Sequence, residues 1–357
     1  MTDSWAQRHQ NSLYLLAMGT GAVVSVLSPH HWRHSYDTAV PLSLAVLLFA
    51  NFMCMPLTRR ASINTVKNTP VSKGPSWRLP VLLLGMNFIL MPLIVAALIV
   101  VLRVGSGPVG LTVAIVLLAP CVDYVVVFTR FAGGDYRSLL SYTPLLLAVQ
   151  ILAIPLWASI YAYIRILENN GFGVLSQIPS ESISALATLG VPLLSAYLIQ
   201  SAGNRTTSCR SIPYRFAHKC AALSETAMIP LMMLLLTLMC AAYTARLTEA
   251  PQHLPTLALT YTAYGLAATA LSYGICRTIR PSLSREEGIA LTFSVLTRNA
   301  LIIFPIINAL SATMRAAHIP QAELMPAAAL TQTMVELLML TALVSIFRRA
   351  ATRDTAQ

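Results

Sequence analysis

Apolar runs of about 20 residues recur along the whole chain, separated by short polar stretches, and a run of that length spans a bilayer as a helix. Ten such segments are predicted, at 11–28, 38–57, 79–102, 108–130, 138–164, 182–201, 222–244, 254–276, 286–310 and 322–347. No alternating strand pattern competes with them. The short connections make neighbouring helices antiparallel. The fold class predicted is therefore all-α integral membrane, a single domain over 1–357 with no soluble insertion.

The polar positions inside these runs are more informative than the runs themselves. Segment 4 carries Pro120, Cys121 and Asp123 within four residues. A proline removes a backbone donor and breaks the helical ladder. In lipid such a break survives only where protein buries it or a cavity receives it. Segment 9 carries Thr297, Arg298, Asn299 and Pro305. Segment 10 carries Thr331, Gln332, Thr333 and Glu336, with Gln332 and Glu336 on one helix face.

The two halves of the chain align segment by segment. Gly19 falls on Gly190, Asn51–Leu57 on Glu225–Leu231, Leu79-Pro80 on Leu254-Pro255, Gly110 on Gly288, and Pro144 on Pro326, at offsets of 171, 174, 175, 178 and 182. Cys121 then stands opposite Asn299, and Gln150 opposite Gln332. Five segments per repeat is an odd number, so the halves insert with opposite orientation, the inverted-repeat plan of secondary transporters. Repeat one covers 11–164 and repeat two 182–347, with broken helices 4 and 9 in matching positions.

Composition supports the membrane reading: 56% of the 357 residues are hydrophobic and 10% are charged. The net charge of +11 sits in loops rather than on a nucleic-acid face. Eighteen of the 24 Lys and Arg residues fall at one set of segment ends, which places both termini in the cytoplasm. The six cysteines form no C-x-x-C pair and no metal-finger spacing, so neither a disulfide framework nor a metal site is expected. The cluster His30, His31 and His34 reads as a solvated loop. Met53, Cys54 and Met55 read as apolar filler. The N-terminal stretch lacks a convincing signal-peptidase site, so segment 1 is expected to be retained. No enzyme signature is present, no P-loop among them, and no cofactor is implied.

A charge at mid-bilayer costs at least about 2.5–3.5 kcal/mol, so it calls for a partner. Asp123 and Arg298 stand at the two matched breaks and are predicted to pair, either as a lock between crossing helices or as part of the transport site. Glu336 is the first candidate for a proton-carrying carboxyl and Asp123 the second; a protonated Glu bonded between helices is the plainer reading of Glu336. Cys121 alone reads first as a small buried hydrophobe, and its place after Pro120 at the break moves the reading toward a ligand. Glu225 and Asn51 read as interfacial or capping groups.

The run Pro120–Asp135, with its Cys at the break and a following G-D, resembles the arsenite-efflux permeases of the bile acid:sodium symporter superfamily. Thr297–Pro305 and Thr331–Glu336 resemble an arsenic-resistance branch of the same group. The resemblance implies a panel, 11–57 and 182–244, and a core, 79–164 and 254–347, with the substrate site between them and access alternating by movement of the core. It implies that Cys121 and Glu336 are functional; the repeat and the polar face of segment 10 add Asn299, Gln332 and Gln150 as candidate substrate contacts. It also implies a cell (inner) membrane exporter of trivalent arsenite, or antimonite, in exchange for protons. As(III) is thiophilic, and a single sulfur binds it loosely enough for release. Sodium-coupled relatives carry Glu and Gln around the segment 9 crossing, where this chain has Thr297-Arg298-Asn299, a fixed cation in place of sodium. The same Arg298 suits a carboxylate substrate, which keeps an organic-anion carrier in view. A membrane sensor without flux is the third reading.

Overall fold

The computed structural model describes residues 10–28, 33–55, 77–102, 104, 107–121, 124–163, 180–205, 212–249, 251–279 and 283–354. Among them every regular element is helical. Asp123, Cys209, His30, His31 and the basic loop 56–76 lie outside the described residues, as does the side chain of His34.

Segments 1 and 2 are α1 (Gln10–Leu27) and α2 (Arg33–Cys54). Segment 3 is α3 (Arg78–Gly85), a widened π turn (Met86–Leu90) and α4 (Met91–Val101). Segment 4 is two pieces, α5 (Pro108–Leu118) and α6 (Val125–Phe131), and segment 5 is α7 (Tyr136–Tyr163). Segments 6, 7 and 8 are α8 (Ser180–Arg205), α9 (Ile212–Glu249) and α10 (Leu254–Thr278). Segment 9 is again two pieces, α11 (Arg285–Leu296) and α12 (Ala300–Ala316), and α13 (Met325–Asp354) closes the chain. Four of these stretches are long and apolar enough to cross a membrane: Arg78–Val101, Tyr136–Tyr161, Ile212–Ala245 and Ala322–Arg349. The helix α9 starts ten residues earlier than segment 7, with Pro213 in its first turn, where a missing N–H breaks no helical bond.

Two groupings of helices follow from the packing. The long α9 lies against α1 and α2, and α8 lies against α2 and α9. Small polar groups fix these contacts: Thr237 Oγ1 donates to the Ala17 carbonyl at 3.1 Å, and Ser25 Oγ accepts from the Ala245 N–H at 3.1 Å. The last carbonyls of α2 are met by Gln200 of α8, whose Nε2 donates to Phe52 O at 2.9 Å and Met55 O at 3.0 Å. The second grouping sets α10 on α11 and α13, α12 on α13, and α5 on α4 and α13. The two groupings meet where α8 packs on α12.

The π turn in segment 3 goes with one proline and one residue of α7. Pro92 has no N–H, so the Phe88 carbonyl four residues earlier loses its helical partner. Trp157 of α7 replaces it, donating Nε1–H to Phe88 O at 2.8 Å. One turn further along α7, the Tyr161 hydroxyl donates to the Pro92 carbonyl. The widened turn also buries Asn87, whose Nδ2 donates to Ser294 Oγ of α11 at 3.2 Å.

Candidate functional site at the crossed breaks

Each break is written into its own sequence. Residues before proline avoid the α conformation, and Ala119 accordingly ends α5 in an extended conformation (ψ 108°). Thr297 ends α11 in the same way (ψ 134°). No proline forces that second stop; Pro305 lies inside α12. Asn299 restarts the helix instead, its Oδ1 accepting from the Ile302 N–H at 3.0 Å as an N-cap.

The two extended stretches meet as a short antiparallel bridge between Pro120 and Arg298. The Cys121 N–H donates to Thr297 O at 3.2 Å, and the Asn299 N–H donates to Ala119 O at 2.8 Å. These bonds use the backbone groups that the interrupted helices leave orphaned. Both also respect the offset of 178 found in the sequence: 119 pairs with 297 in the alignment, 120 with 298, and 121 with 299. Exchanging the two halves turns one hydrogen bond into the other.

Glu336 reaches the crossing from α13. Its Oε1 accepts from the Tyr124 hydroxyl at 2.6 Å, with Arg298 O at 3.3 Å as a weaker acceptor for the same proton. Its Oε2 accepts from the Arg298 backbone N–H at 2.8 Å and from Gln332 Nε2 on the same helix face. The carboxylate therefore ties both breaks to segment 10: Tyr124 follows the first and Arg298 belongs to the second.

The Arg298 side chain turns away from that carboxylate. Its Nη2 donates to Val295 O at 2.9 Å and its Nε donates to the Tyr264 hydroxyl. The guanidinium carbon lies 5.1 Å from the centre of the Tyr264 ring, a cation–π distance. The Tyr264 hydroxyl passes its own proton to Val295 O at 2.8 Å. Asp123, the expected partner of Arg298, is outside the described residues. Arg298 is fully buried, with 0% of its surface exposed.

Several buried polar atoms here have no hydrogen-bond partner among the described residues: Arg298 Nη1, Asn299 Nδ2, Gln332 Oε1 and Thr333 Oγ1. Buried polar groups are nearly always satisfied, so this set takes its partners from outside the described residues, in the chain or in a solute. It holds both donors and acceptors, which suits a small polyhydroxylated solute. Cys121 is buried at the same bridge, and the described cysteines 54, 121, 220, 240 and 276 form no disulfide. No group of three or more His, Cys, Asp or Glu suited to a metal is found among the described residues.

Of the residues predicted from sequence, Cys121, Arg298, Asn299, Gln332 and Glu336 come together at the crossing. Gln150 is buried on α7 with Oε1 unpartnered and makes no hydrogen bond to them among the described residues. Tyr124, Tyr264 and Asn87 were not singled out by sequence. Tyr261 and Tyr264, three residues apart on α10, were the available signal: both hydroxyls donate across to neighbouring helices, Tyr261 to Ala328 O at 3.0 Å.

Residues 73–249 match the model of the Sodium Bile acid symporter family. The match takes in Cys121 and Gln150, covers just under half of the chain, and stops before α10. The match makes this stretch similar to a family of membrane symporters, and the apolar helices fit a multi-pass membrane protein. Comparison with curated proteins finds no match.

Proposed function

We propose that the protein is a secondary active transporter that exports trivalent arsenite, or antimonite, from the cytoplasm in exchange for protons. One observation carries the reading. The thiol-bearing residue Cys121 and the carboxylate of Glu336 converge on a single crossing, Cys121 through Thr297 O and Glu336 through the adjacent Arg298 N–H. A soft sulfur offers As(III) a ligand. A carboxyl that alternates between charged and neutral forms exchanges a proton with each cycle. The Arg298, Asn299, Gln332 and Thr333 atoms that lack a partner among the described residues are of the donor and acceptor types that the hydroxyls of neutral arsenite would use.

The architecture proposed with it is ten membrane-spanning helices in two inverted repeats of five. The twofold relation of the backbone bonds at the bridge supports this plan. The α1, α2, α8 and α9 grouping serves as the panel, and the remaining helices serve as the moving core. Both termini lie in the cytoplasm, and the membrane is the cell (inner) membrane. The buried site belongs to a state shielded from both sides, and core movement opens it to each in turn.

A second reading keeps its own support. The family's name refers to sodium and bile acid, and the unpartnered Arg298 Nη1 suits a carboxylate. An organic-anion carrier therefore competes for the same site. The thiol separates the two. Everted vesicles carrying Cys121→Ala are expected to accumulate arsenite at roughly one tenth of the wild-type rate or less, the effect of losing about 1.4 kcal/mol. Unchanged arsenite accumulation in that variant would contradict the proposal. Uptake of an organic anion unaffected by the substitution, with no arsenite uptake by the wild type, would favour the carrier.

A further inference from the structure

The helix α9 is longer than a bilayer is thick. Its 38 residues extend about 57 Å at about 1.5 Å per residue, against about 40–45 Å for a bilayer with its headgroups. The apolar run predicted at 222–244 accounts for only about 35 Å of that length. The turns before it, 212–221, are held firmly from one side. Gly203 of α8 admits them so closely that a Cβ added there would stand 2.8 Å from Ala217 Cβ. Ala217 and Ala221 are half-buried on that side, and Ser224 is buried. The opposite side is apolar and basic at once. Ile212, Phe216 and Leu223 are 84%, 55% and 70% exposed, and their spacings of four and seven put them on one stripe. Arg215 and Lys219, four apart and both exposed, flank it. Between Arg205 and Ser224 the sequence has no acidic residue.

We infer that the opening turns of α9 form a binding surface for anionic phospholipid, with the apolar stripe in the acyl boundary and Arg215 and Lys219 on the phosphates. Large apolar side chains beside cations on one helix face are what an interfacial helix presents to a membrane. Standing upright, α9 would lift Ile212 and Phe216 into water. A lean of roughly 40° fits its length within the bilayer and lowers this stripe onto the headgroups. Charge names the lipid: two exposed cations in a stretch without carboxylates are drawn to an anionic leaflet, whereas a zwitterionic one offers them no net attraction. Because α9 packs on α1, α2 and α8, lipid held here fixes that whole grouping in the leaflet.

The surface is independent of the crossing and of the solute transported, so its test needs no flux. The purified full chain in detergent is heated with increasing phosphatidylglycerol or phosphatidylcholine. The wild type is expected to gain melting temperature with phosphatidylglycerol in a saturable way that added salt weakens, and to gain less with phosphatidylcholine. The double variant Arg215→Gln, Lys219→Gln is expected to melt like the wild type without lipid. Its half-saturating phosphatidylglycerol concentration is expected to rise roughly tenfold or more. Phe216→Ser, which keeps both cations, is expected to weaken the same response, and Arg277→Gln, an exposed cation on α10, to leave it unchanged. Should the double variant not survive extraction, Arg215→Gln and Lys219→Gln are measured singly, each with a shift of roughly fivefold. Equal phosphatidylglycerol responses in variant and wild type, or a phosphatidylcholine response as large as that to phosphatidylglycerol, would overturn the inference. So would light scattering that shows a wild-type dimer and a monomeric double variant with no difference in lipid response, since the stripe would then belong to a second copy of the chain.

Discussion

Glu336 is held by three donors from three places in the chain: Tyr124 after the first break, the Arg298 backbone at the second, and Gln332 one turn back on its own helix. A carboxylate so placed senses any separation of the crossed helices, because movement of either break removes a donor. In the proposed mechanism, proton exchange and core movement are thereby linked through one side chain. Glu336→Gln keeps the size and removes the exchangeable charge, so it is expected to abolish arsenite accumulation driven by a pH gradient while leaving the protein folded. Gradient-driven flux at the wild-type level in that variant would exclude Glu336 as the proton carrier. Tyr124→Phe removes only the hydroxyl bonded to Glu336 Oε1. A hydrogen bond to a charged group contributes about 1.5–3 kcal/mol, and thermal unfolding is expected to show a loss in that range together with slower flux.

At the scale of elements, the first break was legible because Pro120 dictates it locally: Ala119 goes extended and α5 stops. The second was legible only through its polar residues and the alignment of the halves, since an Asn cap rather than a proline resets α12. Pro305, equally conspicuous in the sequence, breaks nothing and lies within α12. The π turn was not legible, because its cause is shared between Pro92 and Trp157, residues far apart in sequence that meet only in the fold. Tyr124 and Tyr264 read as ordinary apolar-helix tyrosines until their partners are known. Trp157→Phe leaves the Phe88 carbonyl buried without its donor. An unsatisfied buried group costs about 1–3 kcal/mol, so this variant is expected to unfold at lower temperature than the wild type while retaining Cys121-dependent transport. An unchanged melting temperature would show that the π turn is stable without Trp157.

For the whole molecule, hydropathy alone predicted where helices lie, because length and apolarity are properties of single segments. Which segments touch was another matter: the alignment of the halves placed the breaks opposite each other but did not say what reaches them from α10 and α13. The crossing that results is a buried polar cluster inside an apolar bundle, held by two backbone bonds and one carboxylate. Under the proposed function, transport is expected to run on protons alone. Arsenite accumulation in everted membrane vesicles, measured with an imposed pH gradient in the presence and absence of sodium, tests this most directly. Accumulation is expected to require the acid-inside gradient, to disappear when the gradient is collapsed, and to be indifferent to sodium. Accumulation that follows a sodium gradient and ignores pH, or no arsenite movement under either, would contradict it.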